Sequence, residues 1–115
     1  MPPAAARGLC VVLITCPSQA VARRLALLLV RRHIAACVNM LGPAQSFFWW
    51  QGRVDRAREF LLIVKMTRRN ISALRAILKQ HHPYTVPELV ALPIQAGLSA
   101  YLQWVHDACR QKLGH

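Results

Sequence analysis

Four aromatic residues in a row, Phe47, Phe48, Trp49 and Trp50, constrain this chain more than any other feature. They lie in a stretch, residues 44 to 67, whose second arm ends in the run Phe60 to Val64, with Gly52 between the arms. Aromatic and β-branched residues suit a pleated, half-buried surface, and a glycine between two such runs marks a turn, so the stretch predicts a long β-hairpin. Side chains alternate faces along a strand, which sends Phe47 and Trp49 to one side and Phe48 and Trp50 to the other. A small domain covers one face of such a hairpin with its own helices, and the other face then needs a partner. The pattern predicts self-assembly through the hairpin; the competing possibility is an interior strand covered twice within one chain.

The rest of the chain sets the frame for that hairpin. At 115 residues it is long enough for one domain and too short for two. Residues 1–7, rich in Pro and Ala, read as a flexible tail, and 8–115 as the single domain. The 55% hydrophobic content excludes disorder, while uninterrupted apolar runs such as Leu25 to Val30 fall far short of the roughly 20 residues a membrane span needs. Cysteines at 10, 16, 37 and 109 form no C-x-x-C pair, which suits free thiols in a reducing compartment and predicts a cytoplasmic protein.

Gly8 to Cys16 reads as a buried strand closed by Pro17, after which Ser18 caps a helix reaching about His33. Its inward stripe is Ala22, Leu25, Ala26, Leu29 and Val30, and Arg23, Arg24, Arg31 and Arg32 spread over the solvated side. Ile34 to Leu41 predicts a strand ending at a Gly42-Pro43 turn. A second helix, Asn70 to about Gln80, is expected to be capped by Asn70 and to turn Ile71, Leu74, Ile77 and Leu78 inward. Glu88 to Pro93 has the length of a last strand, and a helix from Ser99 presents Tyr101, Leu102, Trp104, Val105 and Ala108 to the core. The order predicts an α+β, ferredoxin-like split βαβ sandwich with an extended β-hairpin, an antiparallel sheet and helices on one face.

Candidate chemistry is sparse. His81 and His82, with Tyr84 and Glu88 close behind, are the densest group of potential ligands, and imidazoles with a carboxylate suit copper or zinc. Adjacent histidines at a helix end point about 100° apart, so a polar helix terminus explains them as well. Glu59 and Lys65, six residues apart on one strand, share a face and form either a polar site or separate structural pairs. No nucleophile elbow, paired glycosidic acids or phosphate loop is present, so no enzyme is predicted; Cys16 would act as a nucleophile only with a histidine nearby. Fifteen Lys and Arg against four Asp and Glu give a net charge of +11, which attracts nucleic acid non-specifically. A basic RNA-binding ferredoxin-like domain is therefore the alternative, although the aromatic RNA-recognition segment is missing.

Taken together, VVLITCPSQAVARRLALLLV, HIAACVNML, FFWWQGRV, EFLLIVK, HHPYTVPELVALPI and YLQWV resemble the CutA divalent-cation tolerance family over about Val11 to Val105. The resemblance implies a tight homotrimer akin in shape to the PII signalling proteins, with Phe47, Phe48, Trp49, Trp50 and Trp104 at the trimer interface. It further implies tolerance of, and response to, copper or another divalent cation. Sensing or scaffolding would act through clefts between subunits, with Glu59, Lys65, Tyr84 and Glu88 lining them around a metal ion or small-molecule ligand. In some members copper is assigned to a cysteine of the first loop and two histidines; His81 and His82 match the pair, Ile14 stands at the cysteine position, and Cys16 follows two residues later. The implied copper site here is thus His81, His82 and Cys16, and weak.

Overall fold

The computed structural model describes residues 4–110. In chain order the elements are β1 (Leu9–Cys16), α1 (Gln19–Arg31), β2 (Ala35–Trp50), β3 (Arg53–Thr67), α2 (Ile71–His81), β4 (Val90–Pro93) and α3 (Ser99–Ala108), with 3-10 turns at Ala4–Ala6 and Arg68–Asn70. The strands form one antiparallel sheet in the order β2-β3-β1-β4. This is the α+β class that the alternation of elements predicts.

Strand register fixes which side chains share a face. Cys10, Val12, Ile14 and Cys16 of β1 stand opposite Met66, Val64, Leu62 and Phe60 of β3. They meet Ala22, Leu25 and Leu29 of α1 and Leu74, Ile77 and Leu78 of α2 in the core. The Ser18 hydroxyl accepts the Val21 N–H at 3.2 Å and sets the start of α1. Val30, expected inside, is largely exposed, because the buried stripe of α1 narrows to Ala22, Leu25 and Leu29.

Three expectations change on contact with the structure. Gly42-Pro43 does not end a strand: β2 runs through it, and the register slips between Leu41 and Ala44 as at a β-bulge. Gly42 sits at φ +153°, and a Cβ there would lie 2.6 Å from the Phe60 ring, so a residue without a Cβ lets that ring lie against the bulge. Asn70 does not cap α2 through its side chain. Its amide Nδ2 instead donates to the carbonyls of His33, Ile34 and Cys109 at 3.1 to 3.3 Å, tying the end of α1, the start of β2 and the end of α3. On α3 the inward side is Leu102 and Val105, continued by Cys109, whereas Tyr101 and Trp104 point out and stack on one another at 5.6 Å.

Of the stretch expected as a tail, residues 1–3 lie outside the described residues, while Ala4–Ala6 make a 3-10 turn with Ala6 buried. The Ala5 carbonyl accepts from His106 Nε2 at 3.0 Å, and the Ala108 carbonyl accepts from His33 Nδ1 at 2.9 Å.

The hairpin outruns the sheet. β1 accompanies β3 only to Phe60, so residues 53–59 of β3 and 44–50 of β2 continue as a ribbon of two strands. Its turn is Gln51-Gly52, with φ of +51° and +79°; positive φ at both central residues is the geometry whose twist matches the flanking strands. Gly42→Ala forces the Phe60 ring to move. We expect it to lower stability by about 1–3 kcal/mol, as overpacking usually does, seen as a fall in the urea midpoint; an unchanged midpoint would mean that the ring yields freely.

Candidate functional site

The sheet loses β4 after Leu13 and β1 after Cys16, leaving two strands, and a small group of polar side chains meets at the end of β1. Glu59 is the first residue of β3 beyond the last β1 partner, and it is buried to 7% exposure. A carboxylate so placed needs donors. The chain after α2 supplies one: the Tyr84 hydroxyl donates to Glu59 Oε2 at 2.7 Å. His82 holds that loop against β1. Its Nδ1 accepts the Tyr84 backbone N–H at 3.1 Å, which leaves the ring proton on Nε2, donated to the Thr15 carbonyl at 2.8 Å. The rings of His82 and Tyr84 lie 4.8 Å apart.

This environment acts on two titratable groups. Burial, with the Glu59 carboxylate adding to it, pushes the Tyr84 hydroxyl up to about 12. The same two causes push the Cys16 thiol up to about 11. A fully buried, strongly protonated thiol is neither a ready nucleophile nor a ready ligand.

The histidines and Cys16 accordingly do not converge as a metal site. Cys16 is the last residue of β1, inside the core; both nitrogens of His82 are engaged; and among the described residues no group of three His, Cys, Asp or Glu is placed to hold an ion. His81 is half-buried, with no side-chain hydrogen bond among the described residues.

Glu59 and Lys65 share a face but not a site, since six residues of strand separate them by about 20 Å. Lys65 Nζ bonds the Asn39 Oδ1 across the β2–β3 pair and lies 4.0 Å from Cys37 Sγ. Tyr101 of α3 approaches that same thiol. Glu88 is exposed, after Tyr84 and before β4. Within one chain, then, Glu59 and Tyr84 meet, while Lys65 and Glu88 stand apart from them.

The aromatic run is bare on both faces. Phe47 and Trp49 are 65% and 75% exposed on one side of the ribbon, Phe48 and Trp50 38% and 57% on the other, and Trp104 is also exposed. One surface was not anticipated. Val11, Leu13 and Thr15 of β1, Leu61 and Ile63 of β3, Leu41 of β2, and Val90 and Leu92 of β4 line the face turned away from the core. Leu41, Val90 and Leu92 are about half exposed. The signal was in the sequence: LCVVLITC is apolar at both parities, which is the pattern of a strand covered on both sides. The central strands β1 and β3 show aliphatic side chains on that face, not the stacking rings that an RNA-recognition sheet displays, so the alternative loses its footing.

Comparison with known proteins gives a consistent result. The family model described as CutA1 divalent ion tolerance protein matches residues 10–108. The divalent-cation tolerance protein CutA of Thermus thermophilus is 48% identical over 97 residues, covering 84% of this chain and 94% of that protein. Protein CutA of Homo sapiens is 37% identical over 94 residues, 82% of this chain and 52% of that one. Among solved structures, the Thermus thermophilus protein superposes with a TM-score of 0.83. CutA1 from Oryza sativa, 38% identical, reaches 0.86 over 90% of this chain and 95% of that one.

The Tyr84 proton has a consequence for stability. Held to about 12 in the folded chain against an ordinary 10, it leaves the unfolded chain first, so stability falls as pH rises from about 10 through about 12. Tyr84→Phe removes this contribution, and the variant should lose less of its urea midpoint over that interval than the wild type. Equal losses would show that the hydroxyl does not sense its surroundings as described.

Proposed function

Because this chain belongs to the CutA1 divalent ion tolerance family, we propose that it works as a homotrimeric, PII-like divalent-cation tolerance protein. It acts as a binding, sensing or scaffold module through clefts between its subunits. The observation that carries the assembly is the exposure of four rings on both faces of a two-stranded ribbon. Each ring presents roughly 150–250 Å². Covering the exposed part of all four is worth on the order of 10 kcal/mol per chain at about 25 cal/mol/Å². That matches the roughly 4–15 kcal/mol that association must overcome, before the uncovered sheet face is added. Copies of the chain are the natural cover, since both surfaces are present on every one.

In such an assembly Glu59, Lys65, Tyr84 and Glu88 line the clefts between subunits, and Trp104 joins the four rings at the interface. This supports a cleft whose polar residues are incomplete in one subunit. The role is non-catalytic, with metal ions or small molecules bound rather than transformed. Copper contact falls to His81, whose ring has no hydrogen bond among the described residues, and binding is weak because a second donor has to be drawn from His82 at the expense of a hydrogen bond. Four free thiols fit a reducing cytoplasm. No helix among the described residues is long and apolar enough to cross a membrane.

Sedimentation tests the assembly. The wild-type chain should run as three times its 12.9 kDa mass, and a Phe47→Asp, Trp49→Asp double variant as a folded monomer; a wild-type monomer at micromolar concentration would remove the proposal. For the metal, copper titration should show weaker binding in His81→Ala, while His82→Ala should mainly lower stability. Equal copper affinity in the wild type and both variants would end the histidine assignment.

A further inference from the structure

The charge of this chain is not spread evenly. α1 and α2 contain no aspartate or glutamate, yet Arg23, Arg24 and Arg31 of α1 and Arg75 and Lys79 of α2 are all exposed. Within this acid-free layer, α2 and the loop after it form a cleft of about 500 Å³, inside the range of about 300–1,000 Å³ typical of small-molecule sites. Arg75 and Lys79 stand on one side of it, one helical turn apart, and Leu78, Leu89 and Pro87 give it an apolar lining beside Tyr84. Like charges one turn apart repel, and among the described residues the one ion pair is Arg110 with Asp107, far along the chain, so neither cation has a carboxylate partner. Glu88, exposed between the lining residues Pro87 and Leu89, sets the opposite sign on the loop side. A ligand's negative group therefore belongs at the α2 end and its uncharged body over the loop.

We propose that this cleft binds a small organic anion, with a phosphate or carboxylate between Arg75 and Lys79 and a flat apolar body over Leu78, Leu89 and Tyr84. Two cations one turn apart suit a group with several acceptor oxygens, and the guanidinium can engage two of them at once. The apolar lining gives what an inorganic ion cannot use. The cleft is lined by residues of a single chain and shares Tyr84 with the inter-subunit cleft proposed above, so the test reads assembly and ligand binding separately.

Calorimetric titration at fixed ionic strength tests it, with phenyl phosphate, benzoate and inorganic phosphate as probes. Phenyl phosphate or benzoate should bind at least about tenfold more tightly than inorganic phosphate, the better of the two identifying the headgroup. Arg75→Ala with Lys79→Ala should weaken that binding about tenfold or more, whereas Arg23→Ala with Arg24→Ala, which removes the same charge from α1, should leave it within about twofold. Sedimentation of the same samples should be unchanged. Inorganic phosphate binding as well as the organic probes, no binding of either organic probe, or equal weakening by the two double variants would overturn the proposal, the last by showing a diffuse basic surface such as nucleic acid would meet.

Discussion

Every β-strand needs hydrogen-bonding neighbours, and here two strands are about twice as long as the one beside them. β2 and β3 have 16 and 15 residues, β1 has 8 and β4 has 4. Where all four overlap, the molecule has a sheet, a core and helices. Where only β2 and β3 remain, it has a ribbon with, among the described residues, no third strand and no layer above or below, a form that is marginal in water by itself. The polar knot of Thr15, His82, Tyr84 and Glu59 sits at the boundary between these regimes. It closes the open end of β1 with side chains in place of a continued ladder.

How much of this was readable from residues depends on whether the signal was local. The strands, the three helices and the Ser18 cap follow from periodicity and capping chemistry, and the exposed rings follow from parity alone. The bulge at Gly42 was read as a turn because Gly-Pro is a turn dipeptide; what decides otherwise is the Phe60 ring on the adjacent strand, a contact between distant positions. Asn70 looked like a cap for the same reason, and three carbonyls from elsewhere in the chain claimed its amide. On α3 the 3.6-residue period was right and the inward face was drawn too wide: Leu102 and Val105 are buried and Ala108 packs on the core, while the rings of Tyr101 and Trp104 fall outside it, a limit that only the rest of the fold sets. Likewise Glu59 could be singled out as a rare acid, but its partner Tyr84, 25 positions away, could not be named from spacing.

The two faces of the molecule differ in character as a result. One carries α1 and α2, which have cations and no acids; the other is an aliphatic sheet surface with the ring-lined ribbon beyond it. Charge keeps the first in water and away from its own kind, while the second has every reason to be covered. The ribbon is not free of charge, since exposed Arg53, Arg56 and Arg58 stand across from Trp50, Phe47 and Gln45, so any cover for the rings has to accommodate those guanidinium groups.

The histidines fasten parts of the chain that lie far apart in sequence. His33 and His106 each donate to a single backbone carbonyl and pin α3 at Ala108 and against the Ala4–Ala6 turn. His82 accepts from one backbone group while donating to another, so one ring bridges β1 and the loop that carries Tyr84. An apolar side chain in its place would release that loop from β1, and the cover over Glu59 with it.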